Sequence, residues 1–475
     1  MKKIICTALY LFLMIFMVSC IKDKNLYIEK PNKTDYNYPG YLYPFEKEIK
    51  NALAEITIKT KGDVPDNTKA EIPVLKYNKS WLLMLTQDDC MQVAYCCTWS
   101  AINGKALTNK YFYDAPHLLY GDLPPDARYL GKTLGSSDGA GNEVRFAFTT
   151  TLLPEANWMN ALTSVDPGNN KDYLRFFMKT GLIWNNVKDM LNYGVGIAFH
   201  DVMVSDANNP DEILKHYNIA QDTILKRLSG RGCKMLAEPN GNKTYVTAAL
   251  NYAPIQTMTA QAGTVELRPF QVTDDLQKTL LHRIFTDNTD YFKNAIIEEL
   301  KLPKEDRRAI YIGVHGTGAG WVDFLLWLNN TYGKDGDDSM WFPSQEEYYE
   351  YNYYRRNSTL NIAKADANTL KLNVTLPSKE YFYYPSVTIN LKGIKKEDIV
   401  SVSSNETVKG LSFSDYEDGV MITIDCRKFL VEHATHFVEL YEKDKSNKGR
   451  KADATYFVNM LKASDTKTEL LNRIK

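Results

Sequence analysis

Trp81-Leu82-Leu83-Met84-Leu85-Thr86-Gln87-Asp88-Asp89 is the stretch on which the fold turns. Five apolar residues make a run of strand length, and two carboxylates follow it. A strand buried on both faces reads as such a run rather than as an alternation. Similar runs recur at 144–151, 195–199, 234–237, 255–260 and 309–314. Longer amphipathic stretches lie between them. In the clearest, 209–228, Asn209 is a cap and Pro210 fits the first helical position. Ile213, Tyr217, Ala220, Ile224 and Leu228 then recur at spacings of three and four. Ser344 opens another helix through a capping box with Glu347. Strand and helix alternate from about residue 72 to 356, which predicts a parallel α/β barrel or layered sheet.

The flanks read differently. Lys2 and Lys3 precede an apolar run from Ile4 to Val18, too short to span a membrane but suited to a signal peptide. Met17-Val18-Ser19-Cys20 resembles the bacterial lipobox. That resemblance implies a leader over 1–19, lipid on Cys20, and a place on the cell envelope at the outer membrane; Ile21-Lys22-Asp23-Lys24 resembles the charged surface-export tag of Bacteroides-type lipoproteins, which implies the outer face. Residues 20–71 read as a polar tether and entry segment with one helix near 46–55. Beyond residue 357, β-type runs at 369–375, 386–391, 400–404 and 420–425 are separated by polar turns, with a helix at 452–461. They predict a small β-sandwich-like C-terminal domain over 357–475.

Composition narrows the functions. A formal net charge of -1 implies no basic face, so nucleic acid is not an expected partner. Besides Cys6 in the leader and Cys20, the five cysteines at 90, 96, 97, 233 and 426 are odd in number and unevenly spaced. They are no disulfide framework; buried thiols are the main expectation, with one bridge left open. The 31 tyrosines fall partly in clusters, at 36–43, 348–354 and 381–384. Such rings suit sugar faces, and equally ordinary core packing.

In parallel α/β folds, working residues collect past the carboxyl ends of strands. Those points carry Thr86-Gln87-Asp88-Asp89, His200-Asp201, Glu238-Pro239-Asn240-Gly241 and His315-Gly316-Thr317-Gly318. In pattern and order this resembles the polysaccharide deacetylases, distorted (β/α)7 barrels. Their first motif, T-F-D-D-G, is similar to Thr86-Gln87-Asp88-Asp89-Cys90. The H-[ST]-x-x-H motif corresponds to His200-Asp201-Val202-Met203-Val204, and the late L-x-x-H motif to Ile312-Gly313-Val314-His315. The resemblance implies Asp88 as general base, His315 as general acid, and Asp89 and His200 as ligands of a divalent metal, zinc by donor type. It implies a glycan substrate that loses N- or O-acetyl groups.

The pattern is broken in two places. Val204 stands where the second histidine belongs, with Asp201, Asp206 and His216 as candidate substitutes. Ala237-Glu238-Pro239 lacks the arginine of the R-x-P motif. Two other readings therefore stay open: a degenerate barrel that binds surface glycan, and a glycosidase working through Asp88 and Glu238. His433 and His436, in the tail, read as a surface pair.

Overall fold

The computed structural model describes residues 40–167, 173–177 and 181–475. Cys20 and the leader lie outside the described residues. The chain begins with β1 (Ala52–Thr60) and β2 (Lys69–Glu71). It then lays down β3 (Trp81–Gln87), β4 (Thr149–Leu152), β5 (Gly196–Phe199), β6 (Met235–Ala237), β7 (Thr257–Ala260), β8 (Leu280–His282), β9 (Ile284–Phe285) and β10 (Ile310–Val314). In space these last eight run β8-β7-β6-β5-β4-β3-β10-β9, every neighbouring pair parallel. The free ends of this path are β8 and β9, and only Arg283 separates them along the chain. They act as two halves of one stave. The eight strands thus make a nearly closed barrel of seven staves, the distorted (β/α)7 barrel expected.

All seven residues of β3 are buried, which is why it reads as an unbroken apolar run. Around the barrel lie α1 (Trp184–Asn192), α2 (Pro210–Arg227), α3 (Lys243–Leu250), α4 (Thr289–Leu300), α5 (Ala319–Thr331) and α6 (Gln345–Asn357). Helix α2 starts as its sequence predicts, with Asn209 accepting from the backbone N–H groups of Asp211 and Glu212. Ser344 likewise caps α6 by accepting from the Glu347 N–H. One expected strand is divided. Residues 144–151 yield Glu143–Arg145, then β4, because the Arg145 guanidinium leaves the sheet for Asp453, 2.8 Å away.

The start of α6 closes the amino end of the barrel. Glu346 accepts from Arg231 Nη1 (3.1 Å) and Nη2 (2.5 Å) and from the Ile197 N–H (3.1 Å). Lys234 Nζ lies 2.7 Å from Glu350, which also accepts from the backbone N–H groups of Tyr383 and Tyr384. None of these four charged side chains has any exposed surface. The helix comes close because Gly196 has no Cβ; one there would sit 2.9 Å from Ser344 Cβ. The aromatic stretch at 348–354 belongs to this packing. Tyr348, Tyr349, Tyr351 and Tyr354 are buried, so this cluster is core and not a sugar platform.

After β11 (Met340–Trp341), which pairs with the start of β3, come β12 (Thr359–Asp366), β13 (Thr369–Leu376), β14 (Ser386–Lys392), β15 (Ile399–Ser404), β16 (Gly410–Tyr416) and β17 (Gly419–Asp425). They form two antiparallel sheets, β12-β13-β1-β15 and β16-β17-β14-β2. Ile56, Ile58, Leu370, Leu372 and Val374 of one face Val387, Ile389, Val420, Ile422 and Ile424 of the other in a shared core. This is the expected sandwich, with two additions. Residues 46–55, read as a helix, lead instead into β1, where Ala54, Ile56 and Ile58 are buried at period two. The tail ends in α7 (Leu430–Glu442), α8 (Lys448–Asn459) and α9 (Asp465–Ile474), where the sequence shows one helix. Helices α7 and α8 lie against the barrel. Asp453 meets Arg145, Lys105 and the Tyr193 hydroxyl, and His433 Nε2 contacts the Asn192 carbonyl at 3.0 Å. His433 is thus buried on a helix and is no surface histidine. Its pKa lies well below the usual value, first because of burial and then because of Arg427 and His436 nearby. Among the described residues, no helix is long and apolar enough to cross a membrane.

Candidate active site at the barrel mouth

Strand register places the acid and the imidazoles. Gln87 of β3 is paired with Val314 of β10, so Asp88 and His315, each one residue further, emerge side by side. The Asp88 N–H donates to the Val314 carbonyl (2.8 Å), which fixes that level. His200 follows the last residue of β5. Just past β3 the chain turns through the left-handed region, with φ of 61° at Asp89 and 52° at Cys90. Neither is glycine, so the turn is strained by about 1 kcal/mol or more per residue, a common feature of functional loops.

Asp88 is buried and held from an unexpected direction. Arg283, from the joint between β8 and β9, donates Nη1 to Asp88 Oδ1 and Nη2 to Oδ2, both at 2.7 Å. The same guanidinium donates to Thr86 Oγ1 (2.6 Å) and to the Glu238 carbonyl (3.1 Å). This two-pronged geometry is specific to arginine. The R-x-P position is alanine, yet a guanidinium reaches the acid from another strand. Its signal in the sequence is a lone arginine inside the short apolar run Leu280-Leu281-His282-Arg283-Ile284-Phe285. A charge there needs a buried partner.

Asp89 stands between two imidazoles. His200 Nε2 is 3.3 Å from its Oδ1 and 3.9 Å from Asp88 Oδ2; His315 Nε2 is 3.5 Å from its Oδ2. His200 is buried, whereas the Asp89 and His315 side chains are 52% and 48% exposed, so the rim is open to a substrate. Burial works against a charged His200, but the Asp88 charge and the Asp89 hydrogen bond outweigh it and raise its pKa. The His200 hydrogen bond, opposed by partial burial, holds Asp89 below the usual carboxylate range. His315 meets Phe285 edge to face, with centroids 4.6 Å apart.

The expected metal ligands fit as a pair. Two ligands of one tetrahedral zinc, each at about 2.0–2.1 Å, are separated by roughly 3.3 Å, the spacing of Asp89 Oδ1 and His200 Nε2. His200 Nδ1 is 2.7 Å from the Ala237 carbonyl. A hydrogen bond donated there would leave the Nε2 lone pair for a metal once the proton shared with Asp89 is displaced, as metal-bound histidines are oriented. The set stops at two. Val204 supplies no donor, and among the described residues no three His, Cys, Asp or Glu side chains are grouped to hold an ion. Neither Asp201 nor His216 replaces it: Asp201 accepts from the Tyr245 hydroxyl, and His216 pairs with Glu155. Asp206 stays exposed on its loop. The five described cysteines are buried free thiols, and burial pushes Cys90 up to about 12, so none is a ready nucleophile.

The two-carboxylate reading fails on access. Glu238 has no exposed surface and is covered by Lys243 Nζ at 3.1 Å, so it is not open to a glycosidic oxygen and Asp88 has no second carboxylate to work with there.

Fold and site together define a (β/α)7-barrel protein that presents paired acids, a guanidinium and imidazoles at the carboxyl ends of its strands. Within that class, the model of the family described as "Putative polysaccharide deacetylase" matches residues 54–475, and the chain belongs to that family. No curated protein matches it. The match begins inside β1 and runs to the last residue, so barrel, sandwich and terminal helices all fall within it.

Proposed function

We propose that this chain is a hydrolase that removes acetyl groups from an envelope glycan, with the paired acids and imidazoles of the barrel mouth as its machinery. The observation that carries the reading is the meeting of Asp88, held by Arg283, with Asp89, His200 and His315 at one end of one barrel. Each Asp88 oxygen gives one lone pair to Arg283 and keeps another for a water proton. Asp88 is the base that accepts it, and Arg283 fixes the direction from which it is accepted. His315, half-exposed beside Asp88, would return a proton to the departing amine or alkoxide. Asp89 and His200 would hold a divalent ion, best zinc, which when bound acidifies water and polarises the acetyl oxygen. Lipid on Cys20 would keep the enzyme at a membrane, beside an immobile substrate.

One observation favours a second reading, a barrel that binds glycan without turning it over: the donor set lacks a third member. A single experiment separates the two. Bound metal is measured in the purified chain. Acetate release from N- and O-acetylated oligosaccharides is then assayed for the wild type and Asp88→Asn. Metal near one equivalent with release that depends on Asp88 supports the hydrolase. Glycan binding with neither metal nor release supports the binder.

A further inference from the structure

A cavity of about 810 Å³ lies on the flank of the barrel, between α1 and the terminal helices α7 and α8. It is within the size range of small-ligand sites. None of the mouth residues lines it. Its walls include Asp189 of α1 and Tyr193 just past its end, Tyr41, and His436, Phe437 and Leu440 of α7. Helix α1 precedes β5, so it ends near the amino end of that strand, away from Asp88. The wall is strongly aromatic: Tyr41 and His436 are stacked with centroids 3.6 Å apart, and Tyr193 meets Phe437 edge to face.

Asp189 is the unexplained member. Its Oδ2 accepts from the Tyr95 hydroxyl at 2.7 Å, while Oδ1 accepts no hydrogen bond from the described residues. Among the described residues no cation lies within ion-pair distance of it. The wall also carries Lys105, Lys132, Lys448 and Arg450; Lys105 is committed to Asp453, Lys132 to Asp335, and Arg450 to the Leu119 and Leu440 carbonyls. Burial pushes the Asp189 carboxyl up to about 6. The side chain is part-exposed on the cavity wall, so Oδ1 is left to a ligand that can donate to it. A ligand that supplied an ammonium group and a ring-sized body would complete both the oxygen and the aromatic surface.

We propose that this cavity is a second saccharide site, which takes an amino sugar with its free ammonium on Asp189. For the origin of that ligand it rests on the deacetylase reading, because N-deacetylation yields such an amine. The recognition chemistry is independent of that reading. The site would retain product-bearing stretches of a glycan while the mouth acts elsewhere on the strand.

The test is calorimetric titration of the full chain with a glucosamine tetrasaccharide and with its N-acetylated counterpart. Wild type, Asp189→Asn and Asp88→Asn are compared. The amide of Asp189→Asn retains an acceptor for Tyr95, so the fold is preserved, and a melting curve checks it. The amine probe is expected to bind the wild type and Asp88→Asn alike, and to bind Asp189→Asn at least about tenfold more weakly. Binding of the N-acetylated probe should not respond to Asp189. The proposal falls if the amine probe does not bind, if Asp189→Asn binds it unchanged, or if its binding is lost with Asp88→Asn. Equal affinity for a lysine-containing tripeptide overturns the saccharide assignment. Amine binding through Asp189 with no acetate release would leave this site standing and sink the deacetylase reading. Acetate release without amine binding would do the reverse.

Discussion

The two ends of the barrel hold polar clusters of similar composition and opposite character. At the amino end, Arg231, Lys234, Glu346 and Glu350 pair among themselves and with backbone N–H groups. Nothing there is exposed. At the carboxyl end, Arg283 and Asp88 make an equally tight pair, but Asp89 and His315 remain about half exposed above it. The lesson is that a buried charge cluster is not in itself a site. What marks a site is unused bonding capacity that faces solvent, and only one end has it.

The largest expected effect tests the closed end. Glu346→Ala leaves Arg231 buried and unpaired, and should lower stability by about 3–5 kcal/mol. Chemical denaturation measures this, and acetate release per folded molecule should be unchanged. A small loss would mean that this end, too, has slack. At the open end, Asp88→Asn should reduce acetate release by roughly 10²–10⁴-fold with an intact fold, read by parallel kinetics and melting curves. Full activity would make the mouth a second structural cluster. Arg283→Lys keeps the charge and loses the two-pronged geometry. It should cost roughly 10–100-fold in kcat with little change in KM, as expected for a group that positions the base. A change confined to KM would place Arg283 in substrate binding.

The smallest effect concerns pH. In chelated protein, the raised His200 pKa means that its partners stabilise the fold fully below about pH 6.5. That contribution is lost as pH rises through the folded value. Urea midpoints measured across this range should fall, and Asp89→Asn should flatten the trend. A wild-type profile that is already flat would show that the mouth does not hold the proton.

Much of this was legible. Apolar runs that end in polar groups gave the staves, because a strand buried on both faces has no alternation to hide. Asp88, Asp89, His200 and His315 were visible because each stands at a strand end. Residues that act from a distance were not. Arg283 reaches Asp88 from nearly two hundred positions away, and no local spacing encodes that. The start of β1 reads as part of a helix because its partner β13 lies some three hundred residues later. The helices α7 and α8 owe their place to contacts such as Asp453 with Arg145.

Arg283 also occupies the joint in the barrel wall. Its N–H donates to the Ala260 carbonyl at 3.0 Å, on the β8 side of the break. The residue that bridges the seam is therefore the one that holds Asp88. Splicing a loop into this joint, a natural choice for an engineer seeking a tolerant gap, would misdirect Asp88 before it loosened the wall. The seam and the grip on Asp88 are one structural unit.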